Sequence, residues 1–235
     1  MPALEPLIGV FKSMTSTLRI LCVVAAAATW SYALPGATKG SAENGAAKAA
    51  TCVACHGANG NSVNAEWPSL AGQNAAYTTK QLKMYHAGMR TGDPKNANSA
   101  LMPPMATPLS DQDIEDIAAY YSLQTPTGGE ADPALWEAGA KLYRGGDRAR
   151  SIPACAACHG PLGSGNPAAG YPALRAQQVN YTLRQLNDFR VQQRYTRNDK
   201  GASNGGDNAT IMQTIADRLS PEDIRALASY IQGMR

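Results

Sequence analysis

Large aromatic residues are scarce in this 235-residue chain, which has only 2 Phe and 6% aromatics in total. A domain of about 100 residues built this way buries little apolar surface on its own. Something other than side chains is therefore expected to fill its core. Charge is also sparse, at 17% of residues, and the basic residues are not run together, which excludes a nucleic-acid footprint. No segment shows the alternation of a half-buried strand. Long apolar runs are missing too: Ile20 to Ala28 is too short for a spanning helix, which needs about 20 residues.

That short run reads as part of an export signal. Lys12 and Arg19 provide a thin positive region, the run follows, and Ser31-Tyr32-Ala33 places small residues at the two positions a signal peptidase reads. Residues 1–33 are thus expected to be removed, with Met14 an alternative start, and the mature chain is expected in the periplasm. Cleavage also resolves an odd cysteine count. Of 5 cysteines, Cys22 falls in the leader, leaving Cys52, Cys55, Cys155 and Cys158 as two tight pairs. In an exported protein such pairs usually suggest disulfides, but here each is followed at once by His.

The mature chain repeats itself. Cys52-Val53-Ala54-Cys55-His56 matches Cys155-Ala156-Ala157-Cys158-His159 at an offset of 103. Trp67-Pro68-Ser69-Leu70 matches Tyr171-Pro172-Ala173-Leu174 at 104, as do Tyr77, Gln81 and Leu82 with Tyr181, Gln185 and Leu186. Met102 through Ser110 matches Met212 through Ser220 at 110. A period this long is a duplicated domain and not a solenoid repeat. The Pro/Gly/Thr stretch at 124–129 marks the join, giving domains 34–126 and 127–235. Their formal charges differ, at −1 and +3.

The periodicity predicts an all-α fold. Ser110 and Ser220 each stand before a helix, with an acid three residues on, and Pro221 occupies a first helical position. Ile114, Ile117, Ala118 and Tyr121 then recur on one face, as do Ile224, Leu227, Ala228 and Ile231. Residues 77–87 and 179–192 read as further helices, and a shorter helix is expected to lead into each cysteine pair.

Cys-x-x-Cys-His is the attachment signature of c-type haem. Two thiols three residues apart lie on one side of a helical turn, within reach of the two vinyl groups of one porphyrin. The adjacent His then meets the iron. A thioredoxin-like pair needs a βαβ setting, which is absent, and zinc needs four gathered ligands. Two motifs in a duplicated chain therefore predict two covalently bound haem c groups, on Cys52 and Cys55 and on Cys155 and Cys158. His56 and His159 are the first iron ligands. Three His in all cannot make two bis-His sites, and His86 aligns with Arg190, which gives it no shared role.

A Met thioether is the expected second ligand, and it raises the reduction potential. Met84, Met89, Met102, Met105 and Met212 are candidates. Met212 is the interior Met of the second half, and its repeat partner is Met102, each eight residues before the capping Ser. Met105, which aligns with Ile215, is the competitor to Met102. Pro68 and Pro172 follow their His by 12 and 13 residues, and a carbonyl there could accept the other ring N–H of the ligand.

Taken together and twice over, these motifs resemble the dihaem cytochrome c4 family from about residue 41 to 233. The resemblance implies two tandem class I cytochrome c folds related by pseudo-twofold symmetry, with haem propionate edges facing one another. It implies iron held by His56 with Met102 and by His159 with Met212, and Pro68 and Pro172 as carbonyl acceptors. It also implies a non-enzymatic carrier of electrons from the cytochrome bc complex to a terminal haem-copper oxidase. The expected partners are redox proteins, membrane respiratory complexes among them, met with peripheral membrane association; no nucleic acid and no small-molecule substrate is expected. A haem subunit of a periplasmic dehydrogenase is the competing reading, since such subunits use the same fold. A dihaem peroxidase needs an open iron position, which a Met for each iron would close.

Overall fold

A computed structural model describes residues 40–92, 94 and 97–235 of the chain. The expected signal segment and Cys22 lie outside these residues. With short 3-10 turns at Ala49–Thr51 and Ala97–Ala100, ten α-helices account for most of the regular structure described. They are α1 (Ala42–Lys48), α2 (Val53–His56), α3 (Ala75–His86), α4 (Met102–Ala106) and α5 (Asp111–Ser122), then α6 (Pro133–Gly145), α7 (Ala156–His159), α8 (Val179–Arg190), α9 (Asp207–Ala216) and α10 (Pro221–Gly233). Among the described residues, β-structure is limited to isolated bridges, such as Arg90 with Tyr195.

Local chemistry sets the ends of the two longest-range helices. Ser110 accepts from the Asp113 N–H while the Asp113 carboxylate accepts from the Ser110 N–H, and Ser220 and Asp223 repeat this arrangement. Each pair satisfies two of the amides that a helix start leaves without partners. Pro133 and Pro221 open α6 and α10, where their fixed φ fits and no N–H is needed.

Packing follows the repeat. In the first half α1 crosses α5, and α3 packs on α5 and α4; in the second, α6 crosses α10, and α8 packs on α10 and α9. The crossings are close because a glycine stands at each. A Cβ on Gly45 would lie 2.0 Å from the Asp116 carbonyl oxygen, and one on Gly139 would lie 2.3 Å from that of Ala226. The second core is the larger, with Leu142, Tyr143, Ile152, Leu219, Ile224, Leu227, Tyr230, Ile231 and Met234 buried together. The first is thin, with Ala49, Ile117 and Tyr121 at its centre, as the scarcity of large side chains predicts. Asp116 is closed off from solvent in this half and is held by Lys48 at 2.6 Å, by Gln112 and by the Ser41 N–H.

The halves meet through reciprocal hydrogen bonds. Gln73 donates to the Ala173 carbonyl and accepts from the Ala173 N–H, both at 2.9 Å. Gln177 does the same with Ser69, at 2.9 and 2.7 Å. Gln73 and Gln177, like Ser69 and Ala173, are 104 residues apart. Such an exchange, in which each partner plays both roles, is what a twofold axis produces. One clamp breaks the symmetry: Glu66 accepts from Asn180 and Arg184 of α8, while its repeat counterpart is Gly170.

Candidate haem sites

The two Cys-x-x-Cys-His motifs occupy equivalent turns. Cys52 caps α2 and Cys155 caps α7, so each His ends a single helical turn. Gly57 and Gly160 follow with φ of 78° and 79°, a left-handed region open to glycine, and turn the chain out of the helix. No disulfide joins the four cysteines, so each pair is available to a haem.

His56 and His159 are both 6% exposed. The Nδ1 of His56 meets the Pro68 carbonyl at 2.8 Å, and that of His159 meets the Pro172 carbonyl at 2.9 Å. A carbonyl only accepts, so Nδ1 carries the proton and the Nε2 lone pair remains for a metal. Burial lowers both imidazoles below their ordinary value, outweighing the raising effect of the carbonyl bond. Neutral imidazole with its tautomer set by a second partner is the form that binds iron.

One cavity joins the motifs. It is open at its edges, and Cys52, His56, Met102, Cys155, Cys158, His159 and Met212 line it. Leu70, Leu82, Leu109, Ile117, Leu174, Leu186, Leu219 and Leu227 supply apolar walls. A cleft beside the first motif adds Cys55 and Trp67. Met102 opens the short helix α4 and is half-buried, whereas Met105, on the same helix, is 48% exposed. Met212 lies within α9. His86 is exposed and bonds the Ala106 carbonyl, away from either motif.

Between the sites lies a buried polar girdle that no short motif marks. Arg90 donates to Gln81 in its own half and to Tyr181 and Gln185 in the other, at 2.8 to 2.9 Å. Arg194 donates to Tyr77 across the boundary at 2.9 Å and to Tyr195. Arg90 and Arg194 are 5% and 3% exposed. Their charges are felt nearby. Burial alone would raise the Tyr181 phenol, but Arg90 and Arg194 together pull it down to about 8. Arg194 Nη1 is buried and has no acceptor. Haem is a flat apolar ring bearing two carboxylates. An apolar cavity with a donor of this kind on its wall fits that group. The signal was present in the sequence: Arg90 and Arg194 share the offset of 104 that relates Pro68 to Pro172.

A helical domain present twice, each copy with a Cys-x-x-Cys-His turn whose His is buried and set by a proline carbonyl, defines a two-domain c-type cytochrome. The family model for cytochrome c matches residues 42–122 and 136–235. The chain is 47% identical over 197 residues to cytochrome c4 of Azotobacter vinelandii, covering 83% of this chain and 90% of that one. The crystal structure of reduced recombinant cytochrome c4 from Pseudomonas stutzeri superposes with a TM-score of 0.72 at 45% identity, covering 83% of this chain and all of that one. A thiosulfate dehydrogenase electron acceptor of Thiomonas intermedia is 33% identical, over 88% of this chain and 83% of its own. The chain belongs to the cytochrome c4 family; it is a dihaem electron-transfer protein with two covalently bound haem c groups.

Proposed function

We propose that the chain is a periplasmic carrier that takes electrons from the cytochrome bc complex and passes them to a terminal haem-copper oxidase. The domains are 34–126 and 127–235. Cys52 and Cys55 hold one haem and Cys155 and Cys158 the other, with His56 and Met102 on the first iron and His159 and Met212 on the second. The observation that carries the reading is one cavity lined by both carbonyl-set His residues and by Met102 and Met212. Each bound haem supplies a one-electron ferric/ferrous couple.

The residues around the couple account for a carrier. Pro68 and Pro172 hold the imidazoles in one orientation, so little has to reorganise when charge changes. Met102 and Met212 present soft thioethers that favour ferrous iron and raise the potential. His56 with Met102 and His159 with Met212 would together leave no ligand position for a substrate, and the protein is expected to catalyse nothing. The unequal charge of the halves makes a dipole that orients the molecule on a partner surface. Among the described residues no helix is long and apolar enough to cross a membrane. A carrier docking peripherally on respiratory complexes is consistent with that.

The test is reconstitution. Purified protein should be reduced by a bc complex with quinol and reoxidised by a haem-copper oxidase, both within its own operating potential. The second reading, an electron-accepting partner of a periplasmic dehydrogenase, is favoured by the thiosulfate dehydrogenase electron acceptor among the relatives. Copurification with a dehydrogenase, together with failure to react with the bc complex, would establish it instead.

A further inference from the structure

The loop that carries Pro68 is built in one half of the chain and held by the other. Its own shape is set locally: Asn64 accepts from the Glu66 N–H at 2.9 Å, and Ser62 donates to the Asn64 carbonyl, the side-chain turn chemistry that Asn and Ser supply. The start of α8 then grips the loop along its length. Gln178 donates to the Ser62 carbonyl, the Tyr181 N–H donates to the Ala65 carbonyl at 3.1 Å, and Gln177 exchanges bonds with Ser69. The charge-assisted hold is on Glu66. Its carboxylate accepts from Asn180 at 2.6 Å and from Arg184 at 2.9 Å, and the same guanidinium donates to the Glu66 carbonyl at 2.6 Å. Asn98 reaches the carboxylate from the first half at 3.5 Å. Asn180 and Arg184 are four residues apart in α8 and so share one face of it. The Arg184 side chain is 13% exposed and lies over the Tyr181 ring, while Glu66 is partly open to solvent.

Two residues beyond Glu66 is Pro68, whose carbonyl takes the His56 Nδ1 proton at 2.8 Å. The proline ring fixes φ there. Few torsions therefore lie between the clamped Glu66 carbonyl and the acceptor carbonyl, and a shift of one moves the other. The second loop is held differently. The first half bonds it through Gln73 at Ala173 and through Asn74 at the Tyr171 carbonyl. The repeat counterparts of Glu66, Asn180 and Arg184 are Gly170, Ala76 and Lys80, and Lys80 turns instead to the Gly205 carbonyl. An ion pair on the Pro172 loop has no residues to form it.

We infer that Glu66, Asn180 and Arg184 are positioning residues through which the second half sets the His56 hydrogen bond of the first haem site, while the His159 bond is set without such a clamp. A hydrogen bond from the ring N–H raises the basicity of a ligating imidazole, and a more basic ligand favours ferric iron. Loosening the clamp therefore raises the first potential and leaves the second unchanged.

The inference rests on His56 ligating the first iron in the haem-loaded protein, so ligation is measured alongside it. In the ferrous protein, ring-current shifts of the His56 and His159 ring protons report ligation by proton NMR, and deuterium exchange of the two Nδ1 protons reports how firmly each carbonyl holds its ring. Arg184→Gln and Asn180→Ala are each expected to speed exchange at His56 roughly tenfold, the scale of losing charge-assisted bonds at a partly exposed site, with His159 at the parent rate. Arg184→Lys keeps the charge but cannot reach carboxylate and carbonyl together, so it should recover only part of the protection. Asn180→Ala removes no charge, so a rise in the first potential in that variant reports the ligand and not a lost cation. Should Arg184→Gln fail to mature, Asn180→Ala carries the test. Exchange that speeds equally at both histidines would mark a general loosening and overturn the inference, as would an unmoved His56 proton in variants that retain two haems. A parent His56 without the ring-current shift would overturn the ligand assignment itself, and the inference with it.

Discussion

Replacing Gly139 by Ala sets two effects against each other. Alanine is better than glycine inside a helix by about 1 kcal/mol, so propensity alone makes the variant more stable. The crossing of α6 and α10 opposes this. The new methyl would sit 2.3 Å from the Ala226 carbonyl oxygen, 2.6 Å from Tyr230 Cβ and 3.0 Å from the Ala226 carbonyl carbon. A carbon normally stands roughly 3.3–3.6 Å from a carbonyl oxygen, so the helices must separate by about 1 Å. Two of the three obstructing atoms are backbone, and no rotamer change moves them. A gap of about 0.5–1 Å forfeits a quarter to a half of a dispersion contact, and here it falls on Tyr143 and Tyr230, whose rings lie 5.4 Å apart, and on Trp136 against Tyr230 at 4.7 Å. Overpacking of this kind costs about 1–3 kcal/mol. With backbone in the way the upper end applies, leaving a net loss of about 2 kcal/mol. For a domain of roughly 100 residues that lowers the melting temperature by about 8–16 °C. Thermal unfolding of the haem-loaded protein, followed by far-ultraviolet circular dichroism, measures it. Gly145→Ala, on the same helix but with open space around its Cβ position, should be neutral or slightly stabilising. A Gly139→Ala protein as stable as the parent would refute the argument from close approach.

Three further outcomes are expected. Met102→Ala and Met212→Ala should each abolish the methionine–iron charge-transfer band of one haem, while Met105→Ala keeps both bands; loss with Met105 and retention with Met102 would exchange the two assignments. Lys48→Met should destabilise the protein at neutral pH. Side-chain bonds from Lys48 come first among the causes that hold the Asp113 and Asp116 carboxyls below their ordinary value. A depressed carboxylate contributes its stability above the unfolded pKa and loses it in acid, so the gap from the parent should close below about pH 4, read from denaturation midpoints against pH. Peroxide turnover by the reduced protein should stay at background, and transfer to a soluble redox partner should change with added salt as the dipole is screened. Rapid carbon monoxide binding to one ferrous haem would expose an open iron and overturn the carrier reading.

Much of the site was legible in the chain because its chemistry is local. Cys, Cys and His within five residues can serve a haem whatever surrounds them. Ser110 with Asp113 and Ser220 with Asp223 declare helix starts within four residues. Duplication paired Met102 with Met212. The short α4 around Met102 and the helix α9 around Met212 were not anticipated. Pro103 and Pro104 mask the one, and the Gly- and Asn-rich approach to Asp207 masks the other.

What the sequence by itself determined is the cofactor, its two points of attachment and the repetition of the domain, each specified by residues close together in the chain. The tertiary structure decided how the halves meet. Gln73 and Gln177 exchange bonds with Ala173 and Ser69, Arg90 and Arg194 cross to Tyr181 and Tyr77, and Gly45 and Gly139 let helices touch. None of these roles has a local signature. A glutamine is a surface residue and a mid-helix glycine is a defect until another segment, about 70 to 120 residues away in the cases above, arrives within a few ångströms. Only the folded approach of the second surface gives such residues their energy and their function.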